Sequence, residues 1–126
     1  MRTPVTSPTA SAVGPYSHGI ESDGLVFCSG QTPVDPSTGL LAEGGIAVRT
    51  RQCFDNLLGV LEAAGLGADD VVKVSVFLTD MEDFQAMNEV YATYFDEPFP
   101  ARTTIGVASL PLASNIEIEL IARRSG

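Results

Sequence analysis

The sequence predicts an α+β domain in which two helices cover one face of a β-sheet. Two segments place apolar residues at helical spacing, and five others have the alternating or apolar pattern of strands. Their order is two strands, a helix, a strand, a helix and two strands. At 126 residues the chain has the length of one ordinary domain. We therefore expect a single domain over residues 1–126, with residues 1–13 as an extended lead-in.

A β-hairpin is expected after this lead-in. The first fifteen residues are rich in Pro, Ser, Thr and Ala and end at the turn "VGPY". The runs "SHGIES" and "LVFCSG" then flank Asp23-Gly24, a dipeptide that favours a tight turn between two strands. The following segment, "QTPVDPSTGLLAEGG", contains two prolines and three glycines, which predicts a loop with one short edge strand.

The middle of the chain predicts a helix, a strand and a second helix. From Ile46 onward apolar residues fall on one helical face, and Gly65 is placed to end that helix. In the strand "DVVKVSVFLTD", alternation directs four apolar residues to one side, namely Val72, Val74, Val76 and Leu78. Asp80 is a candidate N-cap for the second helix, whose apolar positions are Phe84, Met87, Tyr91 and Phe95. Two prolines, Pro98 and Pro100, stop it.

The last two predicted strands are "ARTTIGVA" and "NIEIELIA", joined by "SLPLAS". If their apolar alternate residues face the helices, the residues left on the uncovered face include Arg102, Thr104, Glu117 and Glu119. That face also receives Phe77, so it is small, mixed and partly apolar. Two helices can cover only one face of a sheet, which makes the other a candidate oligomer surface.

Composition and charge exclude several classes of function. Sixteen acidic residues against seven basic ones give a formal charge of -9, which disfavours nucleic acid and anionic membranes as partners. No apolar run approaches a membrane span, and the N-terminus has no apolar signal core. Cys28 and Cys53 have no metal-binding spacing, and His18 is the single histidine. We expect a cytoplasmic protein that uses no metal and no cofactor.

One arginine and one glutamate are the candidates for chemistry. An arginine fork such as that of Arg102 binds a planar carboxylate through two hydrogen bonds, and Glu117 can orient water or move a proton. An ordinary ion pair for the arginine and a solvated strand position for the glutamate are open alternatives. Tyr16 follows Gly14-Pro15 at a turn, where its ring either caps the core or enters a site. Histidine often acts as a general base, but no nucleophile is identifiable in the sequence beside His18.

Four segments resemble the Rid family of reactive-intermediate deaminases, also called the YjgF-like family. They are "GPYSHG", "FCSGQTPVDPSTG", "FPARTTIGVASLP" and "IEIELIA", and the resemblance extends from Gly14 to Ala122. It implies a chorismate-mutase-like mixed sheet with two helices packed on one face, assembled as a homotrimer with a barrel-like centre and clefts between subunits. It also implies cofactor-independent hydrolysis of enamines and imines, such as 2-aminoacrylate and 2-iminopropanoate, to 2-keto acids and ammonia.

The resemblance assigns roles to particular residues. Arg102 falls on the family's carboxylate-binding arginine, and Glu117 on its acidic residue near the reacting centre. Tyr16 is a third expected catalytic residue, which would also bind substrate. The remaining matched positions, which would line the cleft and bind substrate, are Ser29, Gly30 and Asn88. Thr104 is also expected to bind substrate; it stands where the archetypes often carry cysteine. His18 stands where glutamine is frequent, so the expected substrate range differs more than the reaction.

Two alternatives to imine hydrolysis remain at this stage. One is a relative that binds a small carboxylate metabolite without turning it over, or that serves one specialised pathway substrate. The other is a ribonuclease or translation inhibitor, as reported for some family members. The charge of -9 and the lack of a basic stripe count against RNA as a substrate.

Overall fold

The fold comes from a computed structural model that describes residues 2–7 and 14–125. In this part of the chain the strands are β1 (Thr3–Val5), β2 (Gly19–Ser22), β3 (Leu25–Gln31), β4 (Val34–Asp35), β5 (Leu40–Leu41), β6 (Val71–Leu78), β7 (Ala101–Gly106) and β8 (Ile116–Arg123). The α-helices are α1 (Ile46–Ala63) and α2 (Phe84–Tyr91). Strands β1-β2-β3-β8-β6-β7 form the main sheet in that order, in which only the β6–β7 pair is parallel, and β4 pairs with β5.

The structure confirms the predicted order of elements. Asp23 and Gly24, with φ of 52° and 78°, form the turn between β2 and β3. Gly65 has a φ of 77° just beyond α1, a conformation that glycine adopts without steric cost. The carboxylate of Asp80 accepts a hydrogen bond from the backbone N–H of Glu82, which starts a short 3₁₀ turn (Met81–Asp83) leading into α2.

The N-terminal half has more strands than the sequence predicts. Part of the lead-in, β1, pairs with β2 at the sheet edge, whereas residues 8–13 lie outside the described residues. The Pro- and Gly-rich loop was expected to contain one short strand, but it contains two, β4 and β5, which pair as a small hairpin.

A register shift corrects one detail of the central strand. The pairing of β6 with β8 slips between Val71 and Lys73, so Val71 is buried and Val72 is 44% exposed. The irregularity changes which residues face the core, so the strict alternation that placed Val72 there does not hold at this point.

Both helices pack on the same face of the sheet. Phe54 of α1 contacts three aromatic rings of α2 and the residues after it, with centroid distances of 5.7, 4.8 and 5.5 Å to Tyr91, Tyr94 and Phe95. The sheet contributes fully or almost fully buried side chains to this core, namely Val26, Val74, Val76, Leu78, Ile116, Ile118, Leu120 and Ala122. The prediction for β8 is therefore confirmed, because the alternate residues Glu117 and Glu119 lie on the opposite face.

The prediction for β7 is wrong. Arg102 pairs in register with Val74 and Thr104 with Val76, and both valines are in the core, so Arg102 and Thr104 face the helices. Ile105, which the pattern directed to the core, pairs with Phe77 and is 45% exposed. Apolarity misled the assignment because the face without helices is itself partly apolar. We call that face the open face; it carries Phe27, Phe77, Ile105, Glu117 and Glu119.

The described residues contain neither a membrane-spanning helix nor a cluster of metal-binding side chains. None of the helices there has the length and apolar character needed to traverse a bilayer. Within the same residues, His, Cys, Asp and Glu side chains form no group of three or more suited to a metal ion.

Candidate functional site

The predicted site residues divide between two cavities on opposite faces of the sheet. The clamp cavity, of about 420 Å³, lies on the helix side and is lined by Asn88, Tyr91, Ala92, Phe99, Pro100 and Arg102. The open-face cavity, of about 390 Å³, is lined by Tyr16, Ser29, Gly30, Thr32, Pro111, Leu112, Glu117 and Glu119. The structure thus separates Arg102 and Asn88 from Tyr16, Ser29, Gly30 and Glu117.

Helix α2 holds the guanidinium of Arg102 in place. The Arg102 Nη1 atom donates a hydrogen bond to Asn88 Oδ1 at 2.7 Å. The guanidinium carbon lies 4.6 Å from the ring centroid of Tyr91 and 5.6 Å from that of Phe84, within range of cation–π attraction. Phe84, Asn88 and Tyr91 of α2 are separated by four and three positions, so they lie on one helical face. Within the described part of the chain the rest of the fork makes no hydrogen bond, which leaves donors for a carboxylate.

Glu117 lies against the backbone of Gly30 on the open face. A Cβ atom added to Gly30 would come 3.0 Å from Cδ and 3.2 Å from Cγ of Glu117, closer than ordinary carbon contacts. The pairing of β3 with β8 is irregular between Cys28 and Gln31, next to this contact. Burial, and secondarily the charge of Glu119, raises the pKa of Glu117 above its ordinary value. A carboxyl group with a raised pKa is a better proton acceptor when ionised.

The rim of the open-face cavity is tied to the first hairpin. The Ser29 hydroxyl donates to the Ser17 carbonyl at 2.6 Å, and the Ser29 N–H donates to the His18 carbonyl at 2.9 Å. Tyr16, whose N–H donates to the Gly14 carbonyl at 2.9 Å, is 42% exposed. Tyr16, Ser29 and Gly30 therefore line one cavity with Glu117, and their roles there stay predictions.

The loop before β8 forms the opposite wall. Leu112 and Ala113 have φ of 61° and 56°, a left-handed conformation that costs free energy in residues other than glycine and often occurs at functional sites. Leu112 is 53% exposed at the cavity. Arg49 of α1 braces the end of this loop, since its Nε donates to the Ala42 carbonyl and its Nη1 to Asn115 Oδ1, both at 3.0 Å.

Two predicted residues line neither cavity. Thr104 lies two residues after Arg102 on the same face, and its hydroxyl oxygen is buried without a hydrogen-bond partner among the described residues. His18 is 8% exposed, and both of its ring nitrogens are likewise unpaired within those residues. The role of Thr104 in substrate binding stays a prediction.

Sequence reasoning missed several lining residues. Tyr91 was identified only as a core position of the second helix, although its spacing of three from Asn88 already placed the two side by side. Phe99 immediately precedes the Pro-Ala-Arg segment, which was the available signal for it. No sequence signal indicated Leu112, because its position at the cavity depends on an unusual backbone conformation.

Comparison with known proteins identifies a family. A profile described as Endoribonuclease L-PSP matches residues 6–124. A RutC family protein of Pyrococcus horikoshii is 48% identical over 117 residues, which cover 93% of each chain. A 2-iminobutanoate/2-iminopropanoate deaminase of Salmonella typhimurium is 43% identical over 126 residues and 98% of each chain. A crystal structure of a putative endoribonuclease from Thermotoga maritima superposes with a TM-score of 0.95 at 46% identity, covering 100% of both chains.

Proposed function

Because the chain belongs to the endoribonuclease L-PSP family, also known as the Rid or YjgF-like family, we propose that it is an imine deaminase. In this proposal it hydrolyses 2-imino and 2-enamino acids to 2-keto acids and ammonia without a cofactor. The deaminase name of a relative aligned over 98% of this chain supports the reaction class. The substrates favoured by this proposal are those in that relative's name, 2-iminobutanoate and 2-iminopropanoate.

The observation that carries the proposal is the division of the site between two faces. The clamp cavity has an arginine fork but no acid, and the open-face cavity has Glu117 but no cation among its lining residues. Each is half of what hydrolysis of an anionic imine needs. A neighbouring copy of the chain supplies the missing half if the clamp cavity of one subunit adjoins the open-face cavity of the next.

The open face suits such an assembly. Phe27 and Ile105 are 42% and 45% exposed there, more apolar surface than a solvated sheet face normally carries. A ring that uses the same two surfaces at each contact closes as a cyclic oligomer. We propose a homotrimer with three composite sites, consistent with the trimer that the family resemblance implied.

The chemistry of the composite site follows from its groups. Arg102 pairs with the substrate carboxylate and so holds the electrophilic carbon of the protonated imine at the boundary between subunits. The Glu117 carboxylate accepts a proton from a water molecule as the water oxygen attacks that carbon, forming a tetrahedral carbinolamine. Glu117 then passes this proton to the nitrogen. Its regenerated carboxylate accepts the hydroxyl proton as the carbon–oxygen double bond forms and the carbon–nitrogen bond breaks, which releases ammonia and the 2-keto acid.

Ammonia release from imines generated by an amino-acid oxidase tests this reaction. Wild type should accelerate hydrolysis, and Arg102→Ala should lose about 2–4 kcal/mol of transition-state stabilisation, roughly 30- to 900-fold in rate. Arg51→Ala removes an exposed arginine of α1 that lies outside both cavities and should keep full activity. Equal rates for wild type and Arg102→Ala would refute the proposed role of the clamp.

Two other functions give different results in the same preparation. A protein that only binds carboxylates would show heat on titration with 2-keto acids but would not accelerate ammonia release. The family description favours ribonuclease activity as the second candidate, although the charge of -9 disfavours RNA. Cleavage of a defined RNA that is lost in Arg102→Ala would support that candidate instead.

A cytoplasmic location is also part of the proposal. Cys28 and Cys53 are both free and buried, as expected in a reducing compartment. Fractionation of cells that express the full chain tests it.

A further inference from the structure

We propose that the hydroxyl of Tyr91 is a further ligand-binding group, which donates a hydrogen bond to the carboxylate that Arg102 pairs with. This inference rests on the proposed function, because it assigns a second donor to the same substrate group. It extends the clamp from one residue to two.

The first observation is an unpaired hydroxyl. Tyr91 is 6% exposed, and its hydroxyl oxygen is buried without a hydrogen-bond partner among the described residues. Buried polar groups in native proteins are almost always paired, so an exception requires an explanation. A ligand that enters the adjacent cavity supplies one.

The second observation is the position of the ring. Tyr91 lines the clamp cavity together with Arg102 and Asn88, and its ring centroid lies 4.6 Å from the guanidinium carbon. The ring therefore supports the cation by its face while the hydroxyl stands at its edge. An anion drawn to the guanidinium arrives next to an unused donor.

The protonation of the hydroxyl agrees with this role. Burial raises the pKa of Tyr91, and the nearby Arg102 offsets only part of that rise. The hydroxyl is thus protonated at neutral pH and available to donate. A carboxylate has about four acceptor sites, of which an arginine fork uses two, so it can accept the extra hydrogen bond.

A neighbouring tyrosine makes the contrast clear. Tyr94 lies three residues further along, and its ring stacks on Phe54 at 4.8 Å. Its hydroxyl donates to Asp55 Oδ1 at 2.8 Å and is therefore satisfied within the chain. The two residues form a matched pair in which only one hydroxyl lacks a partner.

Two conservative variants, Tyr91→Phe and Tyr94→Phe, test the inference with 2-oxobutanoate as a stable carboxylate probe. Titration calorimetry gives its Kd, and thermal unfolding gives stability. Tyr91→Phe should weaken binding about 10- to 100-fold, the effect of one hydrogen bond to a charged group, while its Tm stays equal or rises. Tyr94→Phe should show the reverse, an unchanged Kd and a lower Tm, because it breaks a hydrogen bond already present.

The remaining outcomes separate this inference from the proposed function. Wild type that fails to bind the probe would refute carboxylate binding and with it the role of Tyr91. Wild type that binds, with an unchanged Kd in Tyr91→Phe, would overturn the role of Tyr91 alone. Loss of oligomer in Tyr91→Phe with an unchanged Kd would overturn it too, since the hydroxyl would then serve a subunit contact.

Discussion

Replacing Gly30 by alanine tests the position of Glu117 without touching the carboxyl group. The new methyl carbon would stand 3.0 Å from Cδ and 3.2 Å from Cγ of Glu117, against a comfortable carbon–carbon separation of about 3.5–4.0 Å. The Glu117 Oε2 atom would be closer still, so the side chain must move by at least about 0.5–1 Å to relieve the overlap. Misplacement on the order of 1 Å can cost about 100-fold in rate, which corresponds to about 2.7 kcal/mol of activation free energy.

The fold should tolerate this change. The backbone at Gly30 is outside the left-handed region, so alanine adopts it without strain, and the atoms in its way belong to a flexible side chain. We expect a Tm close to that of wild type. The expected signature is a folded protein with a rate of ammonia release about 100-fold lower.

The assay compares kcat/KM for ammonia release in two glycine variants. Gly45→Ala is the control, because a Cβ atom there meets nothing within 4 Å and the residue lines neither cavity. A Glu117→Gln background adds a second check, since Gly30→Ala should cost little more once the carboxylate is gone. Wild-type kcat/KM in Gly30→Ala would refute the claim that the carboxylate must lie against this glycine.

Three further predictions concern the clamp, the acid and the core. Asn88→Ala removes the acceptor that steadies the arginine and should lower kcat/KM by about 10- to 100-fold, from a hydrogen bond of about 1.5–3 kcal/mol. Burial and the charge of Glu119 raise the pKa of Glu117. Because the reaction needs the ionised carboxylate, activity should rise with pH as Glu117 loses its proton. Glu119→Gln should move the rise to lower pH, and an unmoved pH profile would contradict this coupling. Leu61→Ala, at a fully buried site, should lower the free energy of unfolding measured in urea by about 2–5 kcal/mol. The same change at Leu40, which is 70% exposed, should lower it little.

The elements were predictable because each has a local signal. Helix α1 has a continuous apolar face and a glycine to end it, and the hairpin turn has Asp23-Gly24. The faces of β8 were also predictable, since isoleucine and leucine alternate there with glutamate. Local chemistry and tertiary structure agree at these positions.

The face of β7 was not predictable from the same rule. The rule equates apolar residues with the core, but Ile105 lies on the open face and Arg102 lies among the rings of α2. A guanidinium stacked on aromatic rings and a partly apolar sheet face that no helix covers both invert the usual pattern. The error changed the site, because it placed Arg102 beside Glu117 within one subunit.

The central claim is that Arg102 of one subunit acts with Glu117 of the next, and complementation tests it most directly. Arg102→Ala and Glu117→Gln chains, each inactive alone, are denatured, mixed in equal amounts and refolded together. In a randomly assembled cyclic trimer, three quarters of the molecules are mixed and each has one intact site of three, so about one quarter of wild-type activity should return. Refolding each variant separately before mixing should restore none. Recovery near one quarter is the predicted result, and no recovery in trimers shown to contain both chains would contradict the composite site.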